Sequence, residues 1–230
     1  FTHPKWFLEL KEKLEPFGNN IFKLKKEFQK ADVPESCGSE VYFMLATEIS
    51  SIYHKAGRMR KIHCLIFVPD FATVTRINTV LSRIGNLSSD GRPILGLDAK
   101  KLLKITLDAS DEAMLVPAHA WTPHFSIFGA ESGFDSLTEC FEELTPHIYS
   151  IETGLSSDPP MNWRLSCLDR VTLTSNSDAH SPSRLGREAN IFDTEISYME
   201  KTDAIKKKDG FIGTIEFFPE EGKYHYDGHR

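Results

Sequence analysis

Val171-Thr172-Leu173-Thr174-Ser175-Asn176-Ser177-Asp178-Ala179-His180-Ser181-Pro182 joins a short apolar, β-branched run to a polar loop, the pattern of a buried strand ending where chemistry can be done. A carboxylate and an imidazole one residue apart, with small Ala179 between them, can turn toward a single divalent cation. Taken alone, such a pair more commonly marks an exposed turn, with Asp178 capping the backbone. Its company gives it weight. Leu45-Ala46-Thr47-Glu48, Lys61-Ile62-His63-Cys64-Leu65-Ile66 and Met114-Leu115-Val116-Pro117-Ala118-His119 are three further strand-like runs that carry a ligand-type residue.

Working outward, Pro4 at a first helical position, with Trp6, Phe7, Leu10 and Leu14 at helical spacing, predicts a helix directly after His3 that stops at Pro16 and Gly18. The basic stretch from Lys23 to Lys30 reads as a short helix or as a hairpin arm. Strands are expected over residues 41–49 and 62–68, joined as a β-hairpin through the basic link 53–61 with Gly57 at the turn. Helical periodicity follows over 71–84, closed by Gly85, and Asp98 caps a helix through Lys104. The alternation continues with strand 113–118, helix 136–144, strand 148–152, helix 160–168, strand 170–174, helix 198–208 and strand 210–217. Strands separated by helices predict an α/β fold with parallel pairing, whose chemistry collects at the carboxyl ends of the strands. Glu48, His119, Glu152 and Asp178 fall at such ends, and His63 near the start of its strand.

With 230 residues, 40% of them hydrophobic, the chain can bury one sizeable core. A formal net charge of -6 excludes a global basic field, so a nucleic-acid partner needs a local patch or the charge of bound metal. Cys37, Cys64, Cys140 and Cys167 show no close pairing and read as the free thiols of a cytoplasmic protein. No apolar run reaches the roughly 20 residues of a membrane span and no signal peptide opens the chain, so no membrane partner is expected. The start at Phe1, with Thr2-His3-Pro4 resembling the end of a loop, points to a piece of a longer protein. Oligomeric state is not legible.

Thr2-His3-Pro4, Ala46-Thr47-Glu48, His63 in a strand, Pro117-Ala118-His119 and Ser177-Asp178-Ala179-His180 resemble, in order, the later motifs of the PHP (polymerase and histidinol phosphatase) superfamily. Three longer stretches, Pro117 to Phe125, Glu152 to Pro159 and Asn176 to Glu188, look like its endonuclease Q branch. The resemblance covers nearly the whole chain. It implies a distorted β/α barrel over residues 1–218 whose first strand is missing, and a polar tail over 219–230 leading to a further C-terminal region. It also implies two or three divalent metal ions (zinc, manganese or iron) and hydrolysis of a phosphodiester, as in DNA-repair endonucleases that nick damaged DNA 5′ of deaminated bases or abasic sites. Carried over by motif, Glu48 bridges metals, His63 and His119 are imidazole ligands, Asp178 and His180 complete the set, and His3 matches the end of the second motif. The His-x-His triplet that opens PHP proteins occurs nowhere in this chain, and the cysteine-rich segment that ends endonuclease Q proteins is absent too. A PHP phosphatase acting on small phosphate monoesters or nucleotides, and a non-catalytic PHP-like nucleic-acid binding module, are the competing implications.

Several positions keep two readings. Glu48 is a metal ligand or an ion-pair partner of Arg58 or Lys61. Glu152 is a catalytic base, a residue that orients a ligand histidine, or a plain structural carboxylate. Arg184 and Arg187 bind substrate phosphate or pair with Glu188 and Asp193. His124 touches phosphate or idles in a loop. Trp121, with Phe125, Phe128 and Trp163, stacks on a flipped base or fills the core. Lys55, Arg58, Arg60 and Lys61 follow a DNA backbone or form a solvated hairpin face.

Overall fold

Pro4 opens α1 (Pro4–Lys13), and His3 caps it, its Nδ1 accepting the Lys5 N–H at 3.2 Å. These features come from a computed structural model that describes residues 1–30, 34–89, 91–222 and 224. Leu14 turns to extended backbone (φ -96°, ψ 145°), ending the helix two residues before Pro16. The chain continues as β1 (Leu14–Gly18), β2 (Ile21–Leu24) and β3 (Tyr42–Phe43), a small antiparallel sheet. The stretch from Lys23 to Lys30 is therefore divided between the end of β2 and a 3-10 turn over Lys26–Phe28.

Next come β4 (Leu45–Lys55) and β5 (Arg58–Val68), joined through Ala56 and Gly57 with φ of +52° and +73°. Positive φ at both turn residues suits the tight turns whose twist matches paired strands, and Gly57 takes that conformation without a Cβ penalty. Each strand is 11 residues long, so the expected boundaries at 49 and 62 are corrected. The ladder runs unbroken from Leu45↔Val68 to Lys55↔Arg58, which puts Glu48 and His63 inside strands rather than at their ends.

After α2 (Phe71–Leu81), capped by Asp70, and β6 (Ile94–Leu95) comes α3 (Ala99–Ala109), capped by Asp98 and longer than its expected end because Leu102, Leu103 and Thr106 keep one face buried. The rest is β7 (Met114–Pro117), α4 (Leu137–Phe141), β8 (Ser150–Glu152), α5 (Pro159–Asn162), β9 (Thr172–Thr174), β10 (Ala189–Phe192), α6 (Tyr198–Lys207) and β11 (Phe211–Ile215). The helix expected over 160–168 shrinks to one turn followed by a 3-10 turn, and β10 is an unanticipated strand.

The architecture is mixed α/β; the expected hairpin is present, and the parallel pairing expected of the remaining strands holds only in part. Among the described residues the strands form four sheets, the largest ordered β6-β4-β5-β7. Both β4 and β7 run antiparallel to β5, while β6 lies parallel to β4 and β8 parallel to β9. A two-residue connection allows only antiparallel neighbours, so the hairpin turn dictates the direction of β5. β7 adjoins β8 through the Ala120 N–H on Glu152 O, and the end of β9 reaches β11 through the Ser175 hydroxyl on Ile215 O.

Alternation along the hairpin decides what each face does. Ile49, Ile62, Cys64 and Ile66 point into the core with Ile77, Leu81 and Leu103 from the two long helices. Burying each such side chain stabilises the fold by about 1.5–3 kcal/mol. The other face carries Glu48, Ser50 and His63; a one-residue slip of register would send them into the core. Cys64 and Cys140 are buried free thiols, and Cys37 and Cys167 exposed ones. Among the described residues no helix is long and apolar enough to cross a membrane. Of the polar tail, Pro219–Glu221 form a 3-10 turn, and His225, Tyr226 and His229 lie outside the described residues.

Candidate metal centre

Ser50 sits opposite His63 and Glu48 opposite Leu65, which makes the carboxylate and the imidazole diagonal neighbours on one face of the hairpin. His63 Nδ1 lies 2.9 Å from Glu48 Oε1 and 3.1 Å from His119 Nε2, and His119 Nε2 lies 3.6 Å from Glu48 Oε1. One ligand atom from each of the three falls within 4.8 Å of the others.

His119 follows β7 at φ +30°, a left-handed conformation uncommon for any residue other than glycine. What holds it there is visible. Glu152 Oε2 accepts the His119 backbone N–H at 2.6 Å, and its Oε1 accepts the Asn176 side-chain amide at 2.9 Å. Thr122 Oγ1 donates to His124 O at 2.8 Å and lies 3.1 Å from His119 Nδ1, so it accepts the Nδ1 proton and leaves the Nε2 lone pair facing the cluster. Behind the ring, Gly154 (φ +63°) is the residue that fits, since a Cβ there would stand 2.6 Å from His119 Cβ.

Glu48 Oε2 pairs with Arg92 Nε at 3.0 Å, while Oε1 is buried without a hydrogen bond. Arg92 Nη1 also comes within 2.8 Å of His63 Nδ1, the atom already approached by Glu48 and His119. A ring nitrogen serves one proton at a time, so these contacts cannot all be hydrogen bonds. One carboxylate oxygen and two imidazole nitrogens crowding one space, with the oxygen orphaned, is a donor set that fits zinc, manganese or iron. Burial pushes the Glu48 carboxyl up, but the two imidazoles and Arg92 outweigh it and hold the group well below the usual carboxylate range. Burial lowers the His63 imidazole against the pull of Glu48. For His119, burial is opposed and exceeded by Glu48, Glu152 and Asp178, and the net direction is upward.

The other anticipated residues are placed differently. Asp178 (φ +44°) and His180 sit on the loop after β9 and line a cleft of about 440 Å³ together with Glu48, Thr47, Trp6 and Arg92. His180 is exposed and turned on its own loop, its Nδ1 2.9 Å from Asp178 O, and neither residue joins the three-ligand group. His3 stays outside it as well, capping α1 and stacked on Trp6 at 5.0 Å. Glu152 is fully occupied by the His119 backbone and Asn176, which makes it a positioning residue, and burial pushes its carboxyl up. Arg187 is spent on the loop carbonyls of Ser177 (2.7 Å) and Asp178 (3.3 Å), whereas Arg184 and His124 are exposed. Trp121 is no open platform: its ring stacks on Phe128 and its N–H is bound to Asn162 at 2.7 Å. On the basic hairpin Arg60 is buried against Glu139 and Lys55 is paired with Glu142, while Arg58 is exposed.

Arg92 was missed because no motif announces it; the one available signal is a cation between Gly91 and Pro93 in a loop entering a strand. Glu188 and Glu216 were missed as well. Glu188 is buried and Glu216 half-buried, each with an unpartnered carboxylate oxygen, and burial followed by the charge of Glu216 pushes Glu188 up to about 7. Glu216 also lines a separate hollow of about 630 Å³ beside Trp163 and Phe211, which shares no residue with the cleft.

A mixed α/β chain with this Glu-His-His group beside an Asp-x-His loop is similar to the endonuclease Q-like branch of the PHP superfamily. The particular likeness is to the lesion-specific endonuclease PfuEndoQ from Pyrococcus furiosus, whose crystal structure matches with a TM-score of 0.79 and 27% identity over 97% of this chain and 50% of that one. In sequence the chain is 32% identical over 170 residues to the uncharacterized protein YqxK of Bacillus subtilis, covering 71% of this chain and 42% of that protein. It is 34% identical over 116 residues to the uncharacterized protein MJ0043 of Methanocaldococcus jannaschii, covering 46% and 14%. The chain thus spans less than half the length of these curated relatives. No family model matches it.

Proposed function

We propose that this chain is the PHP-type domain, over residues 1–218, of a metal-dependent phosphodiester hydrolase: a DNA-repair endonuclease that nicks damaged DNA 5′ of deaminated bases or abasic sites. One observation carries the reading: Glu48, His63 and His119 offer ligand atoms within 4.8 Å of one another in a chain that matches a lesion-specific endonuclease over 97% of its length. In this reading the strands belong to a distorted β/α barrel, and the four free thiols support a cytoplasmic enzyme.

Glu48, His63 and His119 would hold divalent ions, two or three in the whole site, with Asp178 and His180 contributing from the loop across the cleft. Bound there, zinc, manganese or iron supplies Lewis-acid charge to phosphoryl oxygens and acidity to a water. The protein's own part is positional. Glu152 fixes the His119 backbone, Thr122 fixes its proton on Nδ1, and Arg187 holds the carbonyls that aim Asp178 at the cleft. Asp178, with a third of its side chain exposed, is available to accept a proton from an attacking water.

The test is a nicking assay on uracil-, hypoxanthine- and abasic-containing duplexes, with an undamaged duplex and a small aryl phosphate beside them, with and without added Mn²⁺. The expected result is a metal-dependent nick 5′ of the lesion. Hydrolysis of the aryl phosphate alone would favour the phosphatase, and DNA binding with neither cleavage nor bound metal would favour the binding module.

A further inference from the structure

The cleft beside Glu48 is lined by two acidic side chains, Glu48 and Asp178, and by a single lysine or arginine side chain among the described residues, Arg92. Its guanidinium does not point to solvent. Nε contacts Glu48 Oε2 at 3.0 Å and Nη1 contacts His63 Nδ1 at 2.8 Å, so it engages two of the three residues that fit a metal. A guanidinium cannot leave by losing its proton, as a lysine ammonium can; it has to move. The backbone beside it is anchored, because Pro93 O accepts the Ser50 N–H at 2.9 Å and Ile94 pairs with Ser50 in the sheet. On the other side Gly91 (φ +75°) has open space around it, and 27% of the Arg92 side chain is exposed to the cleft.

We propose that Arg92 is a built-in competitor for cations at Glu48 and His63, and that a divalent ion entering the site hands its guanidinium over to the substrate phosphodiester. The second half rests on the phosphodiesterase reading above; the first does not. A planar fork that grips a carboxylate is equally suited to two phosphate oxygens. Charge repulsion prevents the dication and the guanidinium from sharing Glu48 at full strength. Neither Arg184, exposed beyond the loop, nor Arg187, committed to loop carbonyls, lines this cleft.

The experiment compares wild type with Arg92→Gln, Arg92→Lys and the surface control Arg83→Gln. Mn²⁺ affinity is read by calorimetry, and KM and kcat are read on a uracil-containing duplex. Arg92→Gln is expected to bind Mn²⁺ about tenfold more tightly and to raise KM for the duplex about tenfold, the loss of one charged hydrogen-bonded contact. Arg92→Lys, which keeps the charge but not the fork, should stay within a few-fold of wild-type Mn²⁺ affinity while still raising KM, and Arg83→Gln should match wild type. Unchanged or weaker Mn²⁺ binding by Arg92→Gln overturns the competition, and tighter Mn²⁺ binding with unchanged KM overturns the hand-over. If wild type cuts no duplex, the phosphodiesterase reading has failed, while the Mn²⁺ titration still decides whether Arg92 competes.

Discussion

Glu48 and His63 on the β4–β5 hairpin, and Asp178 and His180 on the loop after β9, offer the same two ligand chemistries, carboxylate and imidazole, put to work by different means. The hairpin pair is fixed by an eleven-residue ladder, half or more buried, and pressed from behind by His119. The loop pair faces the cleft, 33% and 72% exposed, held by side chains of its own segment such as Ser177 and Arg187. Register therefore preassembles one half of the site, and local hydrogen bonds merely steer the other. The hairpin half should govern whether metal binds, and the loop half what happens to substrate.

The largest expected effect tests that division. Glu48→Gln keeps shape but removes the one carboxylate of the three-residue group, so Mn²⁺ affinity should fall by about a hundredfold or more and cleavage with it. Asp178→Ala should abolish cleavage while calorimetric Mn²⁺ affinity at the hairpin ligands drops far less and the fold is retained. Equal losses of metal from both variants would erase the distinction.

Backbone strain separates the halves next. Gly154→Ala drives a Cβ to 2.6 Å from His119 Cβ at φ +63°, an overpacked and left-handed position costing about 3 kcal/mol. Gly186→Ala, on the loop at φ +75° with open space around it, should cost only about 1 kcal/mol. Urea denaturation of the two variants checks the difference, and similar midpoints would contradict it.

A third effect concerns charge. Glu48 is a half-buried carboxylate compensated by cations; Glu188, 2% exposed, is not, and burial with Glu216 beside it pushes its carboxyl up to about 7 from an ordinary value of 4.5. Below 4.5 both the folded and unfolded chains hold the proton. Between 4.5 and about 7 only the folded chain does, so stability contributed by the protonated form is lost as pH rises through that window. Glu188→Gln, which cannot ionise, should be more stable than wild type at pH 8 by on the order of 2 kcal/mol and no more stable at pH 4.5. A gain independent of pH would rule out this titration as its source. Smallest is Arg187→Ala, which frees the Ser177 and Asp178 carbonyls; a loss of about 1 kcal/mol is expected, with slower cleavage and unaltered Mn²⁺ affinity.

The motifs made Glu48, His63 and His119 legible as chemistry, because ligand types inside apolar strand-like runs are costly unless used. The helix cap at Asp98 and the helix start after His3 were equally plain, since capping is a local matter. The β4–β5 hairpin with Gly57 at its turn was legible too, because a tight turn is local; the length of its ladder and the antiparallel pairing of β7 with β5 were not, and that ladder carries both strands past their expected ends and puts Glu48 and His63 mid-strand. Arg92 stayed hidden because its role depends on β6 joining β4 at Ser50, a contact between distant segments. Arg187 reads as a phosphate ligand or a partner of Glu188 and Asp193, because its sequence neighbours say nothing about the two carbonyls that occupy it.

The account stands on a cation shared by Glu48, His63 and His119. Anomalous diffraction from a crystal soaked in Mn²⁺ measures this directly. The account predicts a peak about 2.0–2.3 Å from Glu48 Oε1 and from a ring nitrogen of each histidine, with Arg92 withdrawn from Glu48; Mn²⁺ density absent from this space, or present only elsewhere on the surface, would contradict it.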